Sequence, residues 1–107
     1  MAAAFAAGGI IAVSASFTVL AQPEIVVSQK GRMFHPGEIS INRGAAIVIV
    51  NDDADLLHHA YVDSNAFKFD SGDQEPGSKT KITFSAAGTF DVLCAIHPKM
   101  KLMVHVN

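Results

Sequence analysis

The chain lacks a second cysteine. Its 107 residues hold only Cys94, which excludes a disulfide framework and leaves a lone thiol to be explained. An excess of positive charge is also missing. Eight Lys and Arg stand against ten Asp and Glu, a formal net charge of −2, so there is no basic stripe of the kind nucleic acid requires. From Met1 to Ala21 no side chain is charged at all. No stretch carries a convincing helical period, no internal repeat appears, and no nucleophile stands in an evident pair with a base. The length allows one domain, and half the residues are apolar, enough for a single core.

The uncharged opening, with Ile10-Ile11, Phe17 and Val19-Leu20 among Ala, Gly and Ser, reads as an export segment. Val19 and Ala21 stand at −3 and −1 of a signal-peptidase site that would release Gln22 as the new N-terminus. The positively charged n-region is absent, which leaves room for a start further upstream. A run of about 20 apolar residues is also long enough to span a bilayer, so a retained membrane anchor is the alternative. The expected division is 1–21 as signal peptide or anchor and 22–107 as the folded domain.

Downstream, the pattern changes to short alternating segments divided by turn residues. It predicts strands over 24–29, 38–42, 45–50, 58–62, 81–84, 89–94 and 101–106. The 45–50 run, Ala-Ala-Ile-Val-Ile-Val, predicts a strand buried on both faces. Residues 63–78, rich in Asp, Gly, Glu and Pro, predict a long loop with room for a short helical turn near 65–69. Seven or so strands at this spacing predict an all-β protein, a Greek-key antiparallel β-sandwich.

The lone thiol opens the run Cys94-Ala95-Ile96-His97-Pro98-Lys99-Met100. Cys, His and a weak axial Met, joined by a second His, form the ligand set of a mononuclear electron-transfer copper site. Strand parity bears on each candidate. Phe90, Val92 and Cys94 share one face and Asp91 the other; Asp91 must face water, so Cys94 faces inward. If His58 points inward, Ala60 and Val62 follow it. If His59 does, it carries Asp63 inside without a partner, so His58 is the expected ligand. Met103 would alternate with inward Leu102 and Val104 and face outward, which favours Met100, and Pro98 bends the chain between His97 and Met100. Taken singly, each residue has an ordinary explanation as core filler or surface. Their combination at ligand spacing on an inward strand end is what points to a metal. Asp52, Asp53 and Asp55, and Lys79, Lys81, Lys99 and Lys101, read as solvated surface or as docking electrostatics.

From about Gln22 onward the chain resembles the cupredoxins, the type 1 blue copper proteins, and within them the amicyanin and plastocyanin group. The resemblance is carried by Gly31, Phe34, Pro36-Gly37-Glu38-Ile39, Val50-Asn51-Asp52-Asp53, the His58 segment, Gly88 through Cys94, and Met100. The C-x2-H-x2-M loop is the short form seen in amicyanins. Relatives usually place Pro before the first His ligand and Asn after it, where this chain has Leu57 and His59.

The resemblance implies one mononuclear Cu(I)/Cu(II) ion held by His58, Cys94, His97 and Met100. It implies a soluble, monomeric periplasmic carrier that shuttles single electrons between partners such as a periplasmic dehydrogenase and a c-type cytochrome. Electrons would pass through His97, within an apolar patch that includes Ile96, Pro98, Leu56 and Leu57. The backbone of residue 59 would hydrogen-bond the sulfur, and His59 would add a pH-dependent group beside the site. Four protein ligands leave no open position for a substrate, so no enzyme is expected. The alternative is a copper-binding module for storage, delivery or sensing.

Overall fold

Alternation of apolar and polar side chains decides which side of each strand is buried. A computed structural model describes residues 8–16 and 24–107. Nine strands follow one another among them: β1 (Ile25–Gln29), β2 (Phe34–His35), β3 (Glu38–Ile41), β4 (Ala46–Asn51), β5 (Ala60–Asp63), β6 (Lys68–Asp70), β7 (Lys79–Thr83), β8 (Gly88–Cys94) and β9 (Lys101–Val106). They form two sheets, ordered β2-β1-β4-β7 and β3-β9-β8-β5-β6. The first buries Val27, Ile47, Ile49 and Ile82, the second Val62, Phe90, Val92, Leu102 and Val104, and all belong to one core. The expected β-sandwich is the observed architecture.

Two pairings run parallel, β1 with β4 and β3 with β9. Between β1 and β4 the chain passes to the second sheet to make β3 and returns, a crossover that brings β4 in alongside β1 in the same direction. β4 is not buried evenly on both faces. Ile47, Ile49 and Asn51 are buried and Ala46, Val48 and Val50 half-buried, because this sheet packs only one face on the core. The 63–78 segment contains a strand rather than a helical turn. Tyr61, Val62 and Asp63 of β5 pair with Asp70, Phe69 and Lys68 of β6. The Ser64 N–H donates to Phe67 O (3.1 Å) and the Ala66 N–H to Ser64 Oγ (3.2 Å), closing a tight hairpin turn. This aims Phe67 at the core, 5.1 Å from Phe84 and 5.7 Å from Phe90 between ring centroids.

Residues 8–16 form neither helix nor strand. Among the described residues no helix is long and apolar enough to cross a membrane. The expected cleavage point between Ala21 and Gln22 lies outside the described residues.

Candidate metal centre

The site forms where β8 ends and β5 begins. Ala60 stands opposite Cys94 and Tyr61 opposite Leu93, and the Ala95 N–H donates to His59 O (3.0 Å), carrying the ladder one step beyond β8. Side chains two apart share a face, so this register puts His58, Ala60 and Cys94 on the same inward side. His58 and Ala60 are fully buried and Cys94 nearly so, whereas His59 and Tyr61 are half-buried and Asp63 is exposed. Beyond Cys94 the chain doubles back. The Met100 N–H donates to His97 O (3.0 Å), Pro98 and Lys99 stay exposed, and Met100 is buried. Met103 is half-buried between the fully buried Leu102 and Val104.

Cys94 Sγ lies 3.7 Å from His97 Nδ1 and 3.9 Å from His58 Nδ1. The three donor atoms fall within 4.8 Å of one another, and the imidazoles meet edge to face at 5.0 Å. An ion bound ~2.0 Å from nitrogen and ~2.3 Å from sulfur, with bonds about 120° apart, would set sulfur and nitrogen ~3.7 Å apart. The observed spacing therefore suits one ion shared by a thiolate and two imidazoles.

The imidazoles are prepared for that role. Asp53 Oδ2 lies 2.7 Å from His58 Nε2; a carboxylate only accepts, so Nε2 carries a proton and Nδ1 is the nitrogen that faces the sulfur. Burial alone would raise the Asp53 pKa, but hydrogen bonds from His58 and the Gly31 N–H, with the charges of His58 and Lys30, hold it below its ordinary value. For His97, burial first and then the charges of His58 and Arg32 lower the pKa, against a smaller upward pull from Asp53. At neutral pH its ring is uncharged, the form that can bind a metal.

A layer of buried amides holds these groups. Asn51 Nδ2 donates to Leu56 O (2.8 Å) and Gln74 O (2.9 Å), and Asn51 Oδ1 accepts from the Asp53 N–H (3.0 Å). The backbones of His58 and Gln74 exchange two hydrogen bonds (3.1 and 2.7 Å). Gln74 accepts at Oε1 from Gln29 (2.7 Å) and donates to Thr80 Oγ1 (2.9 Å). Sequence reasoning missed this layer and took Asp53 for part of a surface acidic cluster. One signal was available: a His ligating through Nδ1 needs an acceptor for Nε2, and Asp53 precedes it by five residues. The expected backbone bond from residue 59 to the sulfur does not appear among the described residues, where Cys94 Sγ is approached by His58 Nδ1 and His97 Nδ1. The His59 ring turns to β6, its Nε2–H donating to Asp70 Oδ1 (2.6 Å).

No family model and no curated protein matches the sequence. Solved structures do. The copper-containing nitrite reductase NirK from Thermus scotoductus SA-01 is similar at 28% identity and TM-score 0.74, over 82% of this chain but only 23% of that one, so this chain spans under a quarter of that protein. A reduced amicyanin mutant is similar at 23% identity and TM-score 0.73, over 83% of this chain and 87% of its own. A purple cupredoxin from Nitrosopumilus maritimus is similar at 20% identity and TM-score 0.67, over 78% and 99%. The fold is cupredoxin-like, and the His–Cys–His cluster at the end of β8 fits the metal site of such a fold.

Proposed function

We propose that the protein holds one copper ion through His58 Nδ1, Cys94 Sγ and His97 Nδ1, with Met100 as the weak axial ligand, and carries single electrons. The observation that carries this is the convergence of one buried thiol and two imidazoles. A soft thiolate and thioether suit Cu(I) and imidazoles suit both oxidation states, so a copper held by these residues would supply one-electron redox chemistry. The chain's contribution is rigidity. β8 and the folded-back 95–100 loop hold three of the ligands, and Asp53 and Asn51 hold the fourth. The similarity to an amicyanin and to a copper-containing nitrite reductase supports copper as the ion. We read the chain as a carrier rather than an enzyme because its own four side chains complete the coordination.

On the same reading, residues 22–107 are the folded unit and 1–21 direct export or anchor it. The protein then works as a monomer in the periplasm, with a dehydrogenase and a c-type cytochrome as its donor and acceptor.

The test is the visible spectrum of purified protein titrated with Cu(II), beside Cys94→Ser. An intense thiolate-to-copper band is expected that saturates at one equivalent, bleaches reversibly with a reductant and is absent from the variant. Copper bound equally well by Cys94→Ser, without the band, would overturn the carrier and favour storage or delivery.

A further inference from the structure

His58 and His59 stand side by side just before β5 and point in opposite directions, and the inner cluster makes no use of His59. The His59 Nε2 lies 2.6 Å from Asp70 Oδ1; a carboxylate only accepts, so this nitrogen carries a proton. Nδ1 points the other way. Asp73 Oδ1 stands 3.8 Å from it, beyond hydrogen-bond reach, and among the described residues Nδ1 has no hydrogen-bond partner. The ring is placed as His58 is placed. One nitrogen is oriented by a carboxylate and the other faces a metal-ligating atom, at 3.8 Å here and at 3.9 Å for Cys94 Sγ.

The backbone builds this arrangement. The Ser71 N–H donates to Ala60 O (2.9 Å) and the Ala60 N–H to Ser71 Oγ (2.9 Å), while Gln74 and His58 exchange their two backbone bonds at the other end of the segment. Residues 71–74 are thus fastened to the chain on both sides of His59, which brings Asp70 and Asp73 up to its two ring nitrogens. Gly72, at a φ of 65°, makes the bend between them, a conformation open to glycine, and its N–H donates to Asp70 Oδ1 (2.8 Å). That bond, and then His59, hold the Asp70 carboxyl below its ordinary pKa. The local charge is unbalanced. Among the described residues neither carboxylate pairs with a Lys or Arg, Lys68 being taken by Asp63 (3.5 Å), and both Asp70 and Asp73 are 68% exposed. Two negative charges flank one imidazole where water has access.

We propose that His59 Nδ1 and Asp73 Oδ1 form a second, outer site for a hydrated divalent transition-metal ion, Zn(II) or Cu(II), with Asp70 orienting the imidazole. An imidazole nitrogen and a carboxylate oxygen are ligands that such ions accept, and a ligating His almost always donates its other N–H to an acceptor such as a carboxylate. Bonds of ~2.0 to 2.2 Å at a tetrahedral angle would set the two atoms ~3.4 Å apart. Rotation of the exposed Asp73 side chain closes the difference. Water fills the remaining positions, so binding is weaker than in the inner cluster, where three protein donors converge. Charge selects the ligand class, because a divalent cation neutralises Asp70 and Asp73 together, whereas a soft Cu(I) ion finds no sulfur here. The site does not depend on the electron-carrier reading, since none of its side chains belongs to the inner set.

The experiment is calorimetric titration of the metal-free protein with Zn(II), beside Asp73→Asn, His59→Gln and Cys94→Ser. The natural protein should show a tight class of site and a weaker one, each near one equivalent. Asp73→Asn and His59→Gln should weaken the second class by at least about tenfold, the lower bound for losing even an orienting partner, and leave the first. Cys94→Ser should do the reverse. The imidazole 15N spectrum gives a readout that a folding defect does not mimic: Zn(II) at the weaker class should shift His59 Nδ1 while Nε2 stays protonated. An Nδ1 signal unmoved by Zn(II), or titrations in which no class responds to Asp73→Asn or His59→Gln, would overturn the outer site. So would a weaker class that disappears in folded Cys94→Ser, since both ions would then share the inner cluster. A natural protein that shows only the class responding to Asp73→Asn would instead tell against the inner centre and leave the outer one standing.

Discussion

Phe90 and Cys94 lie on the same inward face of β8, roughly 13 Å apart at about 3.3 Å per residue, and their surroundings obey different rules. Around Phe90 the rings of Phe67, Phe84 and Phe90 pack in tilted and edge-to-face contacts, with centroids 5.1 to 6.0 Å apart. Around Cys94 stand His58, His97, Asn51, Gln29 and Gln74, and each must satisfy a direction as well as a volume. Apolar burial is non-directional and supplies the larger share of stability; a polar cluster is worth having only when its bonds are made. Buried Gln29 Oε1 has no hydrogen-bond partner among the described residues, so the polar end does not recover its full desolvation cost. The aromatic end stabilises the sandwich, and the polar end spends part of that margin to hold two imidazoles beside a thiol.

If that division holds, Phe84→Ala has the largest effect on stability. Phe84 is fully buried, and such a truncation costs about 3–5 kcal/mol. Chemical denaturation of the copper-free variant should show that loss while the copper-loaded variant keeps the position of its visible band. A loss below about 1 kcal/mol, or a shifted band, would mean that the two ends are not separate.

Next comes Asn51→Ala, which strands Leu56 O and the Asp53 N–H and leaves Gln74 O with the His58 N–H alone. Leaving buried groups unpaired costs about 1–3 kcal/mol. Here the same substitution should also weaken copper binding, because the loop that carries Asp53 is freed. Denaturation and a copper titration on one sample separate the contributions; a stability loss with undiminished affinity would make Asn51 a purely structural residue.

Asp53→Ala sharpens the contrast from the other side. Removing a carboxylate that orients a ligating His lowers metal affinity about 10–100-fold, and stability should fall by about 1–3 kcal/mol as well, since the buried His58 Nε2–H loses its acceptor. Asp53→Asn keeps an oxygen that can accept from His58 Nε2 and should recover part of the affinity. Equal affinity in natural protein and Asp53→Ala would remove the orienting role.

How far each end could be read in advance follows from the same physics. The inward face of β8 was legible because Asp91 has to meet water, and that parity also predicted the burial of Cys94, Val92 and Phe90. His58 over His59 followed from Asp63 in the same way. Strands β2 and β6, two and three residues long, are too short to carry a period. The parallel pairing of β1 with β4 left no mark, because alternation looks the same in either direction. The Gln29–Gln74 bond joins residues 45 apart in sequence, and no local pattern announces such a partner.

The smallest effect separates His59 from its neighbour in sequence. His58 is turned inward onto Asp53, while His59 reaches Asp70 on the surface of β6. The Gly72 N–H, and then His59, hold the Asp70 pKa below its ordinary 3.8. A carboxyl whose folded pKa is depressed contributes stability that is present above the unfolded value and is lost as pH falls through the folded one. Asp70→Asn keeps an accepting oxygen but loses the charge. It should therefore be slightly less stable than the natural protein at neutral pH, with the gap closing as the pH is taken below 3.8. Thermal unfolding of both proteins between neutral and acid pH measures it. A gap that stays constant would mean that the His59–Asp70 contact works by geometry alone, and a gap that widens toward acid would reverse the sign assigned to Asp70.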